Sequence, residues 1–158
     1  MQYYSRQSDF TVTLSQSIVP WFTQQRQRCL THPEAGGQLF GYVSPKRWHI
    51  EACTGPRPSD QRSPWRYTPD TLEENAEIIA MHEQGLHFLG DWHTHFQKTP
   101  LPSWQDIATT QRCYRGSNTE LPGFLLIVVG KTFPQIPCSL SLIDGGTVVQ
   151  FHAHEHTP

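Results

Sequence analysis

The 158-residue sequence contains no apolar run long enough to cross a bilayer, which argues against a transmembrane helix. The N-terminal stretch MQYYSRQSDFTVTLSQS lacks the apolar core of a signal peptide, so we expect a cytoplasmic protein. No two cysteines have C-x-x-C spacing, which excludes the usual patterns of a zinc ribbon or a thioredoxin-like site. We expect four reduced, mostly buried thiols, at Cys29, Cys53, Cys113 and Cys138.

The sequence also lacks a strong charge of either sign. A net charge of -2 provides no general attraction to nucleic acid or to an anionic membrane. A small basic and aromatic group, formed by Arg57, Arg62 and Arg66 with Trp65, is weak evidence for nucleic-acid binding and fits an acidic protein surface equally well. We therefore expect neither nucleic acid nor membrane as a partner.

The length suits one domain over residues 1–158, with a core at about 10–150 and a polar tail at 152–158 that includes His152, His154 and His156. Apolar patterns predict strands at 10–14, 38–43, 47–54, 86–93, 123–130, 138–144 and 147–152. Helices are predicted from Ser15 or Ser17 to about Cys29, from Asp70 or Thr71 to Gly85, and over 103–112. This order indicates an α/β fold with one mixed sheet and helices packed on it.

Two of these segments carry further expectations. The apolar face of the second helix consists of Leu72, Ala76, Ile79 and Ala80, and we expect it to pack on the sheet. Residues 55–69 are rich in proline, serine and charge and form a long loop. This loop is either a substrate-facing segment or a solvated connector.

The stretch GDWHTHFQKTPLPSWQD, from Gly90 to Asp106, carries the pattern H-x-H-x7-S-x2-D. Residues i and i+2 of a strand point to the same face, so His93 and His95 at the end of a strand can bind one metal ion. Asp106, in the first turn of the next helix, is a third candidate ligand. Three protein ligands leave one tetrahedral position open, which is typical of catalytic zinc. Ser103 and Asp106 also fit a helix capping box, and this alternative stays open.

A zinc hydrolase also needs a base that transfers a proton from water to the leaving amine. Glu34 is the candidate, because it precedes two glycines and a predicted strand, where backbone or substrate can approach closely. Ser103 is a candidate donor to the oxyanion of a tetrahedral intermediate.

These residues together resemble the JAMM metalloproteases, also called JAB or MPN-plus domains. The resemblance rests on Glu34-Ala-Gly-Gly, the following Leu-Phe-Gly strand, and the spacing of His93, His95, Ser103 and Asp106. It implies a zinc site formed by His93, His95 and Asp106, with Glu34 as general acid and base and Ser103 as oxyanion stabiliser. It further implies a sandwich similar to cytidine deaminases, with flanking helices. The implied activity is hydrolysis after the C-terminal glycine of ubiquitin or a ubiquitin-like modifier.

The GDWHTH form and the short chain resemble the bacterial branch of the family. Members of that branch include deconjugating enzymes of antiphage systems such as CBASS, encoded beside ubiquitin-transfer-like enzymes. The chain departs from the family at Phe96, where proline usually follows the second histidine. We expect this difference to change the path of the loop from Phe96 to Pro102.

The sequence leaves three alternatives to deconjugation to consider: a processing peptidase, a scaffold and a deaminase. A peptidase that processes a sulfur-carrier-type ubiquitin-like protein shares the same site and differs in substrate. A non-enzymatic scaffold is less favoured, because relatives of that kind have lost ligands that this chain retains. A zinc nucleoside deaminase is excluded, since Pro137-Cys138 is not followed by the second cysteine of the P-C-x-x-C pattern.

Overall fold

The structure is a computed structural model that describes residues 1–154. Its strands are β1 (Gln2–Tyr4), β2 (Thr11–Leu14), β3 (Gly36–Val43), β4 (Arg47–Cys53), β5 (Gln61–Ser63), β6 (Arg66–Thr68), β7 (His87–His95), β8 (Phe124–Gly130), β9 (Ser139–Ile143) and β10 (Val148–Ala153). Its helices are α1 (Ile18–Gln25), α2 (Thr71–Glu83) and α3 (Trp104–Gly116). The predicted order of elements is recovered, with β1, β5 and β6 added. Within the described range, no helix has both the length and the apolar character needed to cross a membrane.

Eight strands form one sheet that closes on itself, in the order β1-β10-β9-β8-β7-β3-β4-β2. The pairs β2–β4 and β7–β8 are parallel and the remaining neighbours are antiparallel, so the sheet is mixed, as predicted. Closure leaves these strands without a free edge, a feature that the expected sandwich did not include. The likeness to cytidine deaminases stays a prediction.

Strand β1, which the sequence analysis missed, closes this sheet. Tyr3 pairs with Val12 of β2 on one side and with Ala153 of β10 on the other. Its buried side chain places the hydroxyl 2.9 Å from the sulfur of Cys138. A three-residue strand in a polar segment is too short to show an alternating pattern, which explains why it was missed.

The predicted polar tail begins later than expected. His152 and Ala153 belong to β10, because Tyr3 and Tyr4 of β1 pair with them. His154 follows the strand, and its backbone N–H donates to the carbonyl of Gln2. The rest of the predicted tail, including His156, lies outside the described residues.

The main core fills the interior of the closed sheet, and α1 contributes to it. Ile18 and Phe22 of α1 are buried there, with the Phe22 ring centroid 4.9 Å from that of Trp92. Strand β8 is buried on both faces, as predicted. Alternate residues from Leu125 to Val129 face the interior, and Leu126 and Val128 pack outside with Ile107 of α3.

Helix α1 is shorter than predicted and ends at Gln25 rather than near Cys29. Arg26 turns to an extended conformation with ψ 143°, which ends the helix. Ser17 occupies the N-cap position, but its side chain makes no capping hydrogen bond. Residues 26–35 therefore form an irregular segment that leads directly into β3.

The prediction that α2 buries its apolar face is wrong. Leu72 is 80% exposed and Ile79 is 63% exposed, and no α2 residue is fully buried. The helix instead directs Glu74 and Glu77 inward, where both carboxylates meet Arg57. The ion pairs to Arg57 set the rotation of the helix, and apolar periodicity alone cannot reveal a long-range partner of this kind.

Gly90 lies at an irregularity in β7, the strand that carries the histidines, and allows a close approach to β8. The register between β3 and β7 shifts at Leu39 and Phe40, so that Gly90 pairs with Leu39 while Phe88 pairs with Phe40. Gly90 has φ +142°, and a Cβ atom there would lie 1.9 Å from the carbonyl oxygen of Leu125. A side chain at this position requires the backbone of β7 or β8 to move.

We expect Gly90→Ala to lower the free energy of unfolding by about 3 kcal/mol or more, because it combines a backbone clash with an unfavourable φ. Urea denaturation followed by tryptophan fluorescence measures this change. Gly146→Ala is the matched control, since a Cβ there meets nothing within 4 Å. Equal urea midpoints for the two variants would contradict the described approach of β7 and β8.

Candidate metal centre and catalytic site

The two histidines lie at the carboxyl end of β7, on the outer face of the sheet. His93 pairs with Gly36 of β3 and with Val128 of β8, which fixes the strand on both sides. The Nε2 atoms of His93 and His95 are 3.1 Å apart. The i, i+2 spacing therefore brings both imidazoles to one point, as the sequence predicts.

Asp106 reaches the same point from the first turn of α3. Its Oδ2 atom lies 3.4 Å from Nε2 of His93 and 3.5 Å from Nε2 of His95. The same oxygen accepts a hydrogen bond of 2.6 Å from the Ser103 backbone, and Ser103 Oγ accepts from the Asp106 backbone at 3.2 Å. The capping box and the histidine contacts are thus both present, and the cap orients the carboxylate toward the imidazoles.

The three donor atoms fit a tetrahedral zinc ion. With zinc–ligand bonds of about 2.0–2.1 Å, neighbouring ligand atoms of a tetrahedron lie about 3.3 Å apart. The observed separations of 3.1, 3.4 and 3.5 Å agree with that spacing. Within residues 1–154, His93, His95 and Asp106 are the only group of three or more histidine, cysteine or carboxylate side chains close enough to bind one metal.

The electrostatics of the site favour the protonation states that bind metal. Burial and the neighbouring His93 lower the pKa of His95, which keeps its imidazole neutral. Burial alone would raise the pKa of Asp106, but His93 and the Ser103 N–H bring it well below its ordinary range. A neutral imidazole and an ionised carboxylate are the ligand forms of these side chains.

Glu34 lies at the edge of this site, two residues before the start of β3. The Thr94 N–H donates to the Ala35 carbonyl at 2.8 Å, and the Ala35 N–H donates to Thr94 Oγ1 at 2.9 Å. These bonds continue the register of β3 and β7 and bring Glu34 opposite His95. Burial raises the pKa of Glu34 to about 7, with Asp106 adding to the rise and His93 opposing it. A carboxyl group with a pKa near neutrality both accepts and releases a proton readily.

Ser103 occupies the N-cap of α3, three residues before Asp106. Its hydroxyl oxygen accepts a hydrogen bond from the Asp106 N–H, and its side chain also interacts with the Asp106 carboxylate and helps to lower the pKa of that group. Rotation of the hydroxyl can direct its hydrogen to a substrate oxygen. Trp104, the next residue, is 76% exposed at the rim, whereas Trp92 is a core residue.

The loop from Phe96 to Pro102 is fixed to the segment that follows β8. The Lys131 N–H donates to the Gln97 carbonyl at 2.9 Å, and Lys131 Nζ lies 4.3 Å from the centre of the Phe96 ring. Pro100 is buried against Gly130. Phe96 is partly buried and packs against Lys131, within the loop that joins the histidines to α3.

Residues 55–69 contain an ordered hairpin of β5 and β6 rather than an irregular loop. Arg57 is buried beneath it, donates to Glu77 and lies 3.6 Å from Asp60 and 3.8 Å from Glu74. The predicted basic and aromatic group therefore does not form one surface. Trp65 is 74% exposed near the hairpin tip, while Arg57 neutralises carboxylates in the interior.

The inward-facing Glu74 supplies a pH-dependent prediction. Burial raises its pKa to about 7 from 4.5, with Asp91 adding to the rise and Arg57 opposing it. The folded protein thus binds more protons than the unfolded chain between these values, so stability falls as pH rises from about 4.5 to about 7. We expect Glu74→Gln to raise the free energy of unfolding by about 1 kcal/mol at pH 8 and to have less effect at pH 5.

Urea denaturation at both pH values tests this expectation. Glu73→Gln, on the exposed side of the same helical turn, is the control and should show no such pH dependence. A lower stability of Glu74→Gln at pH 8 would show instead that its ion pair with Arg57 outweighs the cost of burial.

The thiols are all free, as predicted, but two of the four are exposed rather than buried. Cys29 and Cys113 are exposed, Cys53 is partly buried and Cys138 is buried. The contact between Arg62 and Glu34, where the Arg62 guanidinium donates to the Glu34 carbonyl at 2.6 Å, was not predicted from the sequence. Twenty-eight residues separate the two, and no local pattern marks such a pair.

Comparison with known proteins shows the family of this chain. Residues 21–139 match the Prok-JAB family model, described as prokaryotic homologs of the JAB domain, and the chain belongs to this family. The chain is 33% identical over 122 residues to a CD-NTase/cGAS isopeptidase of Pseudomonas aeruginosa (strain BWHPSA011 / Pa011), covering 74% of this chain and 75% of that protein. The predicted resemblance to the bacterial JAB branch is thereby confirmed.

Two further similarities extend this result. A CD-NTase/cGAS isopeptidase of Vibrio cholerae serotype O1 is 27% identical over 133 residues, covering 81% of each chain. The solution structure of protein DSY2949 from Desulfitobacterium hafniense superposes with a TM-score of 0.64 at 23% identity, covering 88% of each chain. The latter shows a shared fold.

Proposed function

We propose that the protein is a zinc-dependent isopeptidase that hydrolyses the bond after the C-terminal glycine of a ubiquitin or ubiquitin-like modifier. The observation that carries this proposal is the triangle of two imidazole nitrogens and one carboxylate oxygen beside Glu34, whose pKa is raised. Membership of the JAB family and two relatives named as isopeptidases support a hydrolase of this class.

In this proposal, His93, His95 and Asp106 would bind the zinc. Bound zinc would supply a Lewis acid that polarises the scissile carbonyl and lowers the pKa of a water to about 7. Glu34 takes a proton from the attacking water and delivers it to the nitrogen of the leaving lysine. Ser103 donates its hydroxyl hydrogen to the oxyanion of the tetrahedral intermediate.

The substrate proposal has two parts. The hairpin of β5 and β6 lies beside Glu34, and we propose it as the surface that faces the modifier. The relatives' names mention a CD-NTase, so we propose a CD-NTase-type enzyme of an antiphage system as the protein from which the modifier is removed. Ubiquitin-transfer-like enzymes encoded nearby would attach the modifier, and both reactions would take place in the cytoplasm.

Two alternatives use the same fold. A processing peptidase for a sulfur-carrier-type ubiquitin-like protein would cleave a peptide bond rather than an isopeptide bond. A scaffold would lack hydrolytic activity, but all the residues that hydrolysis requires are present in this chain, which favours an enzyme.

The discriminating experiment incubates the purified protein with modifier–lysine conjugates and with linear modifier–peptide fusions, and identifies products by mass. The proposal predicts release of a modifier that ends at its terminal glycine, together with an unmodified lysine. Cleavage of linear fusions alone would favour the processing peptidase. A zinc-loaded protein that cleaves neither substrate would favour the scaffold.

A further inference from the structure

The segment that carries Glu34 has little regular structure of its own. Residues 26–35 lie between the end of α1 and the start of β3. The Glu34 carboxylate makes no hydrogen bond to any residue within the described range. Its direction is therefore set by the position of its backbone rather than by a partner of the carboxylate itself.

Three consecutive residues of the hairpin contact this segment. Arg62 Nε donates to the Glu34 carbonyl at 2.6 Å, and the Ser63 carbonyl accepts from the Glu34 N–H at 2.9 Å. The Pro64 carbonyl accepts from the buried side chain of Gln27 at 3.0 Å, and the same amide nitrogen donates to the His32 carbonyl at 2.7 Å. Both backbone polar groups of Glu34 are thus bound by the hairpin.

The hairpin is in turn fixed to the body of the protein. The Tyr67 hydroxyl donates to Asp60 at 2.8 Å, and Asp60 also accepts from the backbone of Arg57 and Asp70. Arg57 connects this group to α2 through Glu77. The Tyr67 ring lies directly against Gly36, where an added Cβ would be 2.5 Å from it. Because the hairpin is anchored to the rest of the protein in this way, it can hold the segment at residues 26–35 in place.

From these contacts we infer that the β5–β6 hairpin sets the position of the general base, and that Arg62 is a positioning residue acting through the Glu34 backbone carbonyl. The inference rests on the proposed role of Glu34. Arg62 is itself exposed, so its charged hydrogen bond adds little to overall stability. The effect of Arg62 is local, since this hydrogen bond sets the position of the Glu34 carboxylate relative to His93, His95 and Asp106.

The test compares Arg62→Ala with Arg66→Ala in steady-state cleavage of a modifier–lysine conjugate. Arg66 is the matched control, because it is an exposed arginine of the same hairpin whose side chain makes no hydrogen bond among the described residues. We expect Arg62→Ala to lower kcat about 10- to 100-fold, since small displacements of a catalytic group have effects of this size. Its KM should stay within about twofold of wild type, and millimolar guanidinium should restore part of kcat.

A second measurement does not depend on activity. Amide hydrogen exchange of the zinc-free protein should be faster at Glu34 and Ala35 in Arg62→Ala than in Arg66→Ala, with equal melting temperatures. Equal exchange and equal kcat in the two variants, or a change confined to KM, would overturn the inference. Absence of cleavage by the zinc-loaded wild type would instead overturn the proposed function, and the exchange measurement would still report on the hairpin.

Discussion

Replacement of Glu34 by glutamine is expected to abolish cleavage while leaving the metal in place. Glutamine matches the size of glutamate but accepts no proton. The variant therefore lacks the group that transfers a proton from water to the leaving amine. General acid and base catalysis contributes about 10²- to 10⁴-fold to rate, and we expect kcat to fall by at least about 10³-fold. The measurement is the cleavage rate of a modifier–lysine conjugate by variant and wild type. The zinc content of both proteins is determined by elemental mass spectrometry and must be equal.

Glu120→Gln is a matched control, because Glu120 is an exposed glutamate that has no side-chain hydrogen bond among the described residues. Its cleavage rate should equal that of wild type. A Glu34→Gln variant that retains more than about a tenth of wild-type kcat would assign the base to another residue.

The second large effect concerns Asp106, which forms part of the helix cap and, in the proposed site, would also bind the metal. Asp106→Asn keeps an oxygen that accepts from the Ser103 N–H and removes the negative charge that faces the histidines. We therefore expect the start of α3 to persist while zinc affinity falls by about 100-fold or more. Competition with a fluorescent zinc chelator measures the affinity, and circular dichroism follows the helix.

Asp9→Asn is the corresponding control, because Asp9 is an exposed aspartate that makes no hydrogen bond or ion pair among residues 1–154. It should bind zinc as wild type does. If Asp106→Asn also kept wild-type affinity, the carboxylate would serve only the cap, and the ligand set would need a different third member.

The convergence of the two histidines and Asp106 was predictable because these residues follow local rules. Two histidines at i and i+2 share a strand face, and a short connection brings the first turn of the next helix back to the same strand end. Glu34 was identified through the family resemblance and its position before two glycines. In the structure, the pairing of Gly36 with His93 explains how a residue so distant in sequence comes to lie beside the histidines.

Other features depended on partners that no local pattern reveals. Helix α2 has an apolar stripe, yet it turns its acidic side inward because Arg57, from a distant loop, lies there. Strand β1, which closes the sheet, is too short to show an alternation of apolar and polar residues. The sheet closes because β1 pairs with β2 on one side and with β10 on the other. The hairpin at residues 61–68 lacks the alternation of an apolar strand, since none of its side chains is fully buried.

The most direct test of the whole account measures metal content and cleavage on one preparation of the protein. We expect about one zinc per chain, loss of modifier–lysine cleavage when a chelator removes the zinc, and recovery when zinc is restored. Cleavage that continues unchanged in the metal-free protein would contradict the assignment of His93, His95 and Asp106 as the catalytic zinc site.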